Sequence, residues 1–220
     1  MSKLAWDTVG ERYYELGVSK GVLFPYDKAK KTYSKGVAWN GLTGVSENPD
    51  GADLTDLWAD NIKYASLRAT ENFKATIEAY TYPKEFEQCD GSAEIADGVN
   101  IGQQTRCPFG FTYVTKIGND VDDELGYKLH IVYNATASPS DKSYETVNDS
   151  PDAITFSWEI ETNPVDVTGY KPTSFITIDS TKADATKLKA LEDKLYGTES
   201  EEPSLPTPDE IVAIMKANGW

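Results

Sequence analysis

The sequence predicts a mainly β fold: a two-sheet sandwich or partly closed barrel, with a flanking C-terminal α-helix and a short C-terminal helical arm. Three observations carry this expectation. Short runs of alternating apolar and polar residues recur between Val22 and Ile178, the period-2 signature of half-buried strands. Clusters of glycine, proline, asparagine and aspartate separate those runs and supply turns. Helical periodicity is confined mainly to the C-terminal end, which disfavours alternating βα units and a parallel sheet.

Taken in order, residues 22–24 and 37–42 are the first candidate strands. The clearest strand is 72–80, where Phe73, Ala75, Ile77 and Ala79 alternate with Asn72, Lys74, Thr76 and Glu78. Residues 62–68 are expected to pair with it through a turn at Thr70-Glu71, making a hairpin. A second hairpin joins 109–117 to 127–133 across an acidic loop, and 154–161 and 174–178 complete the strands. Thr181 and Asp184 have capping-box spacing, Leu188, Leu191 and Leu195 share one helical face, and Gly197 suits a helix end. An acidic, proline-bearing linker spans 198–206. Thr207-Pro208-Asp209-Glu210 then reads as an N-cap, proline at the first helical position and an acidic first turn, with Ile211, Ile214 and Met215 on one face. Such a short helix is marginal alone in water. It must dock, either on its own domain or on a neighbouring subunit reached through the linker. The sequence thus divides into a β domain with its helix, 1–197, and a linker with an arm, 198–220.

The chain has 220 residues, enough for one large domain or two small ones. Lysine and arginine number 21 against 36 aspartates and glutamates, a formal net charge of −15. That field repels phosphate and argues against a protein that grips nucleic acid by neutralising its backbone. An apolar content of 39% exceeds that of disordered acidic chains. No apolar run approaches a membrane span, and the first residues turn polar too soon for a signal-peptide core. Cys89 and Cys107 are too few for a disulfide framework or structural zinc and read as free thiols.

Catalytic chemistry is thinly supplied. Gly17-Val18-Ser19-Lys20-Gly21 matches G-x-S-x-G, but an extended stretch ending at Pro25 follows where a nucleophile elbow needs a helix. His130 is the single histidine and limits triad and zinc chemistry together. The acidic loop 120–124 lacks the spaced pattern of an EF-hand and reads as a solvated hairpin loop. Acidic residues are abundant, yet nothing singles out a glycosidase pair. Tyr13, Tyr14, Trp39, Trp58 and Tyr64 could offer stacking surfaces to a glycan, though aromatics in β proteins more often serve cores and interfaces. The sequons at Asn134 and Asn148 matter only in a secreted protein. No catalytic residue, cofactor site or metal site is expected.

Several stretches together resemble the major tail tube protein family of long, non-contractile-tailed bacteriophages: 10–15, 20–25, 36–42, 59–64, 76–83 (TIEAYTYP), 89–91, 101–104, 126–130, 146–151 (TVNDSP), 155–159 (TFSWE), 177–182 (TIDSTK) and 205–210. The resemblance spans nearly the whole chain. It implies a two-sheet β fold with a flanking helix, acting as a non-enzymatic structural virion protein assembled in the bacterial host cytoplasm. Hexameric rings would form by joining inner sheets and stack into a tube through which DNA passes unbound. The implied partners are further copies of the chain, a tape-measure protein, a tail terminator and tail-tip proteins, with no membrane.

Within that frame, Asn72, Lys74, Thr76 and Glu78 are candidates for the lumen face, where Lys74 would need carboxylates to pair with or outweigh it. The segment 45–60, holding Pro49, Gly51, Leu57 and Trp58, is the candidate ring-stacking loop. Ile211, Ile214 and Met215 form the candidate inter-subunit arm. The alternative readings are a glycan-binding β-sandwich module and the tube subunit of a phage-derived injection particle.

Overall fold

A computed structural model describes residues 3–140, 142–144, 146–147 and 153–216. Most of the 146–151 stretch, including Asn148, therefore lies outside the described residues. The strands are β1 (Tyr14–Asp27), β2 (Thr32–Tyr33), β3 (Val37–Trp39), β4 (Leu42–Glu47), β5 (Asp50–Gly51), β6 (Leu54–Ala59), β7 (Ile62–Arg68), β8 (Glu71–Asn72) and β9 (Lys74–Ala79). They continue with β10 (Ala93–Ala96), β11 (Val99–Ile101), β12 (Phe109–Gly118), β13 (Gly126–Ala137), β14 (Phe156–Thr162) and β15 (Phe175–Asp179). The helices are α1 (Glu87–Asp90), α2 (Ala185–Tyr196) and α3 (Pro208–Lys216). None of them is long and apolar enough to cross a membrane.

Antiparallel ladders run β3–β1–β12–β13–β15 and, from the far end of β13, onward through β14–β9–β4. β13 belongs to both layers. Its Lys128–Val132 stretch pairs with β15, and its Ala135–Ala137 stretch pairs with β14. Between the two lies Asn134 at φ 49°, beside a register shift against β12. A bulge of this kind bends a strand and increases its twist, which is how one strand turns the corner between sheets. The mainly β expectation holds, but the barrel does not close: among the described residues no ladder joins β4 to β1.

Two cores flank the first sheet. Leu23, Trp39, Phe111, Tyr113 and Val132 face Ile77, Trp158 and Phe86 in the space between the layers. On the opposite face, Val22, Phe24, Val114, Leu129 and Ile131 pack beneath Leu188, Leu191 and Leu195 of α2. The central strands are thus buried on both sides, and β12 is continuously buried from Phe109 to Val114. That burial removes the alternation a half-buried strand would show.

The 109–117/127–133 hairpin forms as expected, as β12 and β13. The hairpin expected between 62–68 and 72–80 does not form. β7 pairs with β6, and β9 lies between β14 and β4. The reason is local: Asp60 and Asn61, at φ 49° and 63°, make the two-residue turn that joins strands of matching right-handed twist. Thr181 and Asp184 do not make a capping box either. Asp184 is itself the N-cap of α2, accepting from the Thr186 and Lys187 amides, while Thr181 bonds Asp179. The reciprocal box occurs at α3, where the Thr207 amide donates to Glu210 Oε2 at 2.8 Å and the Glu210 amide donates to Thr207 Oγ1 at 3.3 Å.

Candidate assembly surfaces

Residues 45–60 form a strand-built arm rather than a loop. The β4/β9 ladder continues through Asp50↔Asn72 and Gly51↔Glu71 into β6/β7, so one long hairpin leaves the sandwich and turns at Asp60-Asn61. Its root is bridged by the Asn48 amide to the Lys74 carbonyl at 2.8 Å and the Ala69 amide to the Asp53 carbonyl at 2.9 Å. The register sorts its side chains. Leu57, Ala59, Ile62, Ala65 and Leu67 share one face with Thr55. Asp56, Lys63, Ser66 and Arg68 share the other with Leu54 and Trp58. There, Asp56 accepts from Ser66 at 2.7 Å and pairs with Lys63 at 2.8 Å. Those two contacts hold the Asp56 carboxyl below its ordinary range, Lys63 contributing first.

The apolar face of this ribbon has no cover in the monomer. Ile62 is 63% exposed, Leu67 57% and Leu57 41%. A two-stranded ribbon is marginal in water, and an uncovered apolar face of this kind marks an interaction surface. Of the candidate stacking residues, Leu57 and Trp58 sit on opposite faces near the tip, while Pro49 and Gly51 lie at the root. The two-residue Asp60-Asn61 turn was the available sequence signal for this arm.

β9 presents the alternation expected of it. Ala75, Ile77 and Ala79 are buried, whereas Lys74, Thr76 and Glu78 face outward. Asn72 does not share that strand; it lies in β8 at the root of the arm, because Phe73 interrupts the ladder. Across the register, Glu78 is flanked by Ser157 and Gly44, Thr76 by Glu159 and Ser46, and Lys74 by Glu161. Lys74 is held by Glu161 at 2.9 Å and Asp50 at 3.0 Å. Glu161 first and Asp50 second push its pKa above the usual lysine value. With that cation matched by two carboxylates, Glu78 and Glu159 set the character of the face, which is acidic.

The C-terminal arm docks on its own chain. Ile211 is buried, and Ile214 and Met215 pack against the α2 core, so within the single chain the arm takes the intrachain one of its two expected docking sites. The cause is the linker, which is pinned rather than loose. Leu205 is buried, the Tyr133 hydroxyl donates to the Pro206 carbonyl at 2.9 Å, and the Gly36 amide donates to the Pro203 carbonyl at 2.9 Å. Asp209 fixes α3 further by accepting from the Thr168 amide and hydroxyl.

Other singled-out residues have structural partners. Ser19 lies inside β1, which runs on to Asp27, so no helix follows the G-x-S-x-G stretch. Asp120 accepts from the Gly10 amide at 2.9 Å and faces Arg12, tying the acidic loop to the N-terminal segment. Among the described residues no group of three metal-ligating side chains converges. Cys89 and Cys107 are both free, and burial raises the pKa of each thiol.

No protein-family model and no curated protein matches the chain. Similar solved structures come from injection particles. A chain of the anti-feeding prophage baseplate is 11% identical, covering 83% of this chain and 99% of that one at a TM-score of 0.37. A chain of the sheath-tube complex of an extracellular contractile injection system is 12% identical, covering 73% and 88% at a TM-score of 0.33. A chain of the sheath/tube terminator of such a system is 12% identical, covering 80% and 99% at a TM-score of 0.36. Likeness at these scores does not bear on function.

Proposed function

We propose that this chain is the repeating subunit of a phage tail tube, a structural protein that assembles with copies of itself and catalyses nothing. The observation that carries the reading is the arm: an amphipathic ribbon whose apolar face is uncovered in a chain that otherwise buries both of its cores. Such a face calls for a partner surface, and stacking of one ring on the next supplies it. Edge strands support the same reading. β4 and β15 end their sheets, and an unpaired edge is a template for joining another copy. Hexameric closure, the non-contractile type of tail and the tape-measure, terminator and tail-tip partners rest on the sequence resemblance alone.

In this arrangement the outer face of β4, β9 and β14 lines the lumen. Lys74, Thr76 and Glu78 project into it beside Glu159, and the acidic wall keeps DNA from adhering during ejection. Negative-stain electron microscopy across a concentration series, with light scattering on the same samples, tests the reading. Rings or hollow tubes are expected. A monomer that stays monomeric at every concentration, and fails to elongate when seeded with tail tips, overturns it. Saturable glycan binding by that monomer would put the exposed aromatics forward as a glycan-binding module instead.

A further inference from the structure

The single histidine sits where the arm leaves the sandwich. Glu47 is the last residue of β4, immediately before the arm. Its Oε1 accepts from the Tyr113 hydroxyl of β12 at 2.5 Å and lies 3.6 Å from Nδ1 of His130 on β13. The Tyr113 and His130 rings stack in parallel with centroids 4.5 Å apart, and Phe175 of β15 covers the imidazole from 5.8 Å. Nε2 bonds the Thr115 hydroxyl at 2.9 Å, and Nδ1 has no hydrogen-bond partner. His130 is 7% exposed. The arrangement suits a neutral imidazole, with Nε2 bonded to the Thr115 hydroxyl and Nδ1 left 3.6 Å from the Glu47 carboxylate.

We infer that the Glu47–Tyr113–His130 cluster is an acid-sensitive joint, in which a second proton on the imidazole uncouples β4 and the root of the arm from the sheet beneath. A cation here is enclosed by two aromatic rings. The Glu47 oxygen nearest Nδ1 already accepts from the Tyr113 hydroxyl. The other charges nearby oppose one another. Glu15 of β1 is engaged by Lys128 of β13, whose own charge repels an imidazolium, while β15 contributes Phe175 and Thr177, neither titratable. The cation is therefore accommodated by parting the layers, which breaks the link between β4 and β12.

Burial lowers the His130 pKa, with Glu47 and Glu15 opposing and Lys128 adding to the effect. With the folded pKa below the unfolded one, stability falls as pH drops through about 6.5 toward the folded value, since the open state binds the extra proton. The joint is independent of whether the arm stacks rings.

The test uses the full chain. Because His130 is the only histidine, one imidazole resonance reports its titration, and amide hydrogen exchange, corrected for intrinsic rates, reports the β4/β9 ladder. Between pH 7.5 and 5.5 the protection of the β4 amides is expected to fall. The fall should set in above the imidazole midpoint and level off below it, while the central β12 and β13 amides keep their protection. His130→Gln should hold β4 protection constant over the same range. β4 protection that stays constant while the imidazole titrates, or a loss shared equally by β12 and β13, overturns the joint. The wild-type titration decides the matter even if the variant fails to fold.

Discussion

At the scale of single residues, Gly51 decides whether the arm has a fixed root. It sits at φ 90°, and a Cβ there would stand 2.5 Å from the Thr70 carbonyl oxygen. Only glycine adopts this conformation without strain and without that clash. Gly51→Ala is expected to break the Asp50↔Asn72 and Gly51↔Glu71 pairing at a cost of roughly 1–3 kcal/mol, confined to the arm. Hydrogen exchange should show the loss in residues 48–72, while the urea midpoint of the sandwich stays in place, because both cores lie in other elements. Ile211 shows the opposite behaviour. It is 4% exposed against α2 and Leu205, so Ile211→Asp buries an unpaired charge and should destabilise the monomer by roughly 2–4 kcal/mol in urea titrations. A monomer of unchanged stability would return this residue to a role between subunits.

At the scale of elements, the sandwich strands were legible in the sequence, those buried on both faces included. β9 and β14 alternate because one side packs on Trp39 and Phe86 and the other is open. β12 and the centre of β13 carry apolar residues on both sides, since α2 and α3 cover the second face, and two apolar runs joined by an acidic loop marked the hairpin where period is weak. The arm was misread. Its strands lack a buried face in the monomer, so alternation gave no register, and the pairing was fixed by the Asp60-Asn61 turn. The C-terminal helix was legible in its cap and its apolar stripe, but where the stripe docks depended on Leu205, Pro203 and Pro206 meeting distant strands. The apolar face of the arm carries the element-scale prediction. Leu57→Asp with Ile62→Asp changes two exposed side chains and should leave monomer stability within about 0.5 kcal/mol. The same pair of substitutions should abolish tubes in the electron microscope. Normal tubes from the double variant would remove the arm from the stacking contact.

At the scale of the whole molecule, charge has to serve assembly and transport together. A chain of net charge −15 repels its own copies, so contacts between subunits should draw on apolar surface such as the arm face. The carboxylates are then left for surfaces that stay wet. On the β4–β9–β14 face the single lysine is paired with Asp50 and Glu161, which leaves Glu78 and Glu159 uncompensated among small polar neighbours. Glu78 is exposed, so reversing its charge should leave fold and assembly intact. In a closed ring the substitution repeats once per subunit and converts a repelling wall into a circle of cations. Each lysine that meets a phosphate releases counterions, giving DNA a salt-dependent hold on the wall of roughly one power of salt concentration per contact. Glu78→Lys tubes are therefore expected to form normally and to retain DNA or slow its passage at low salt, with recovery as salt rises. Loss of tubes in this variant would instead place Glu78 in a contact between subunits, and normal passage at low salt would place the acidic face outside the lumen.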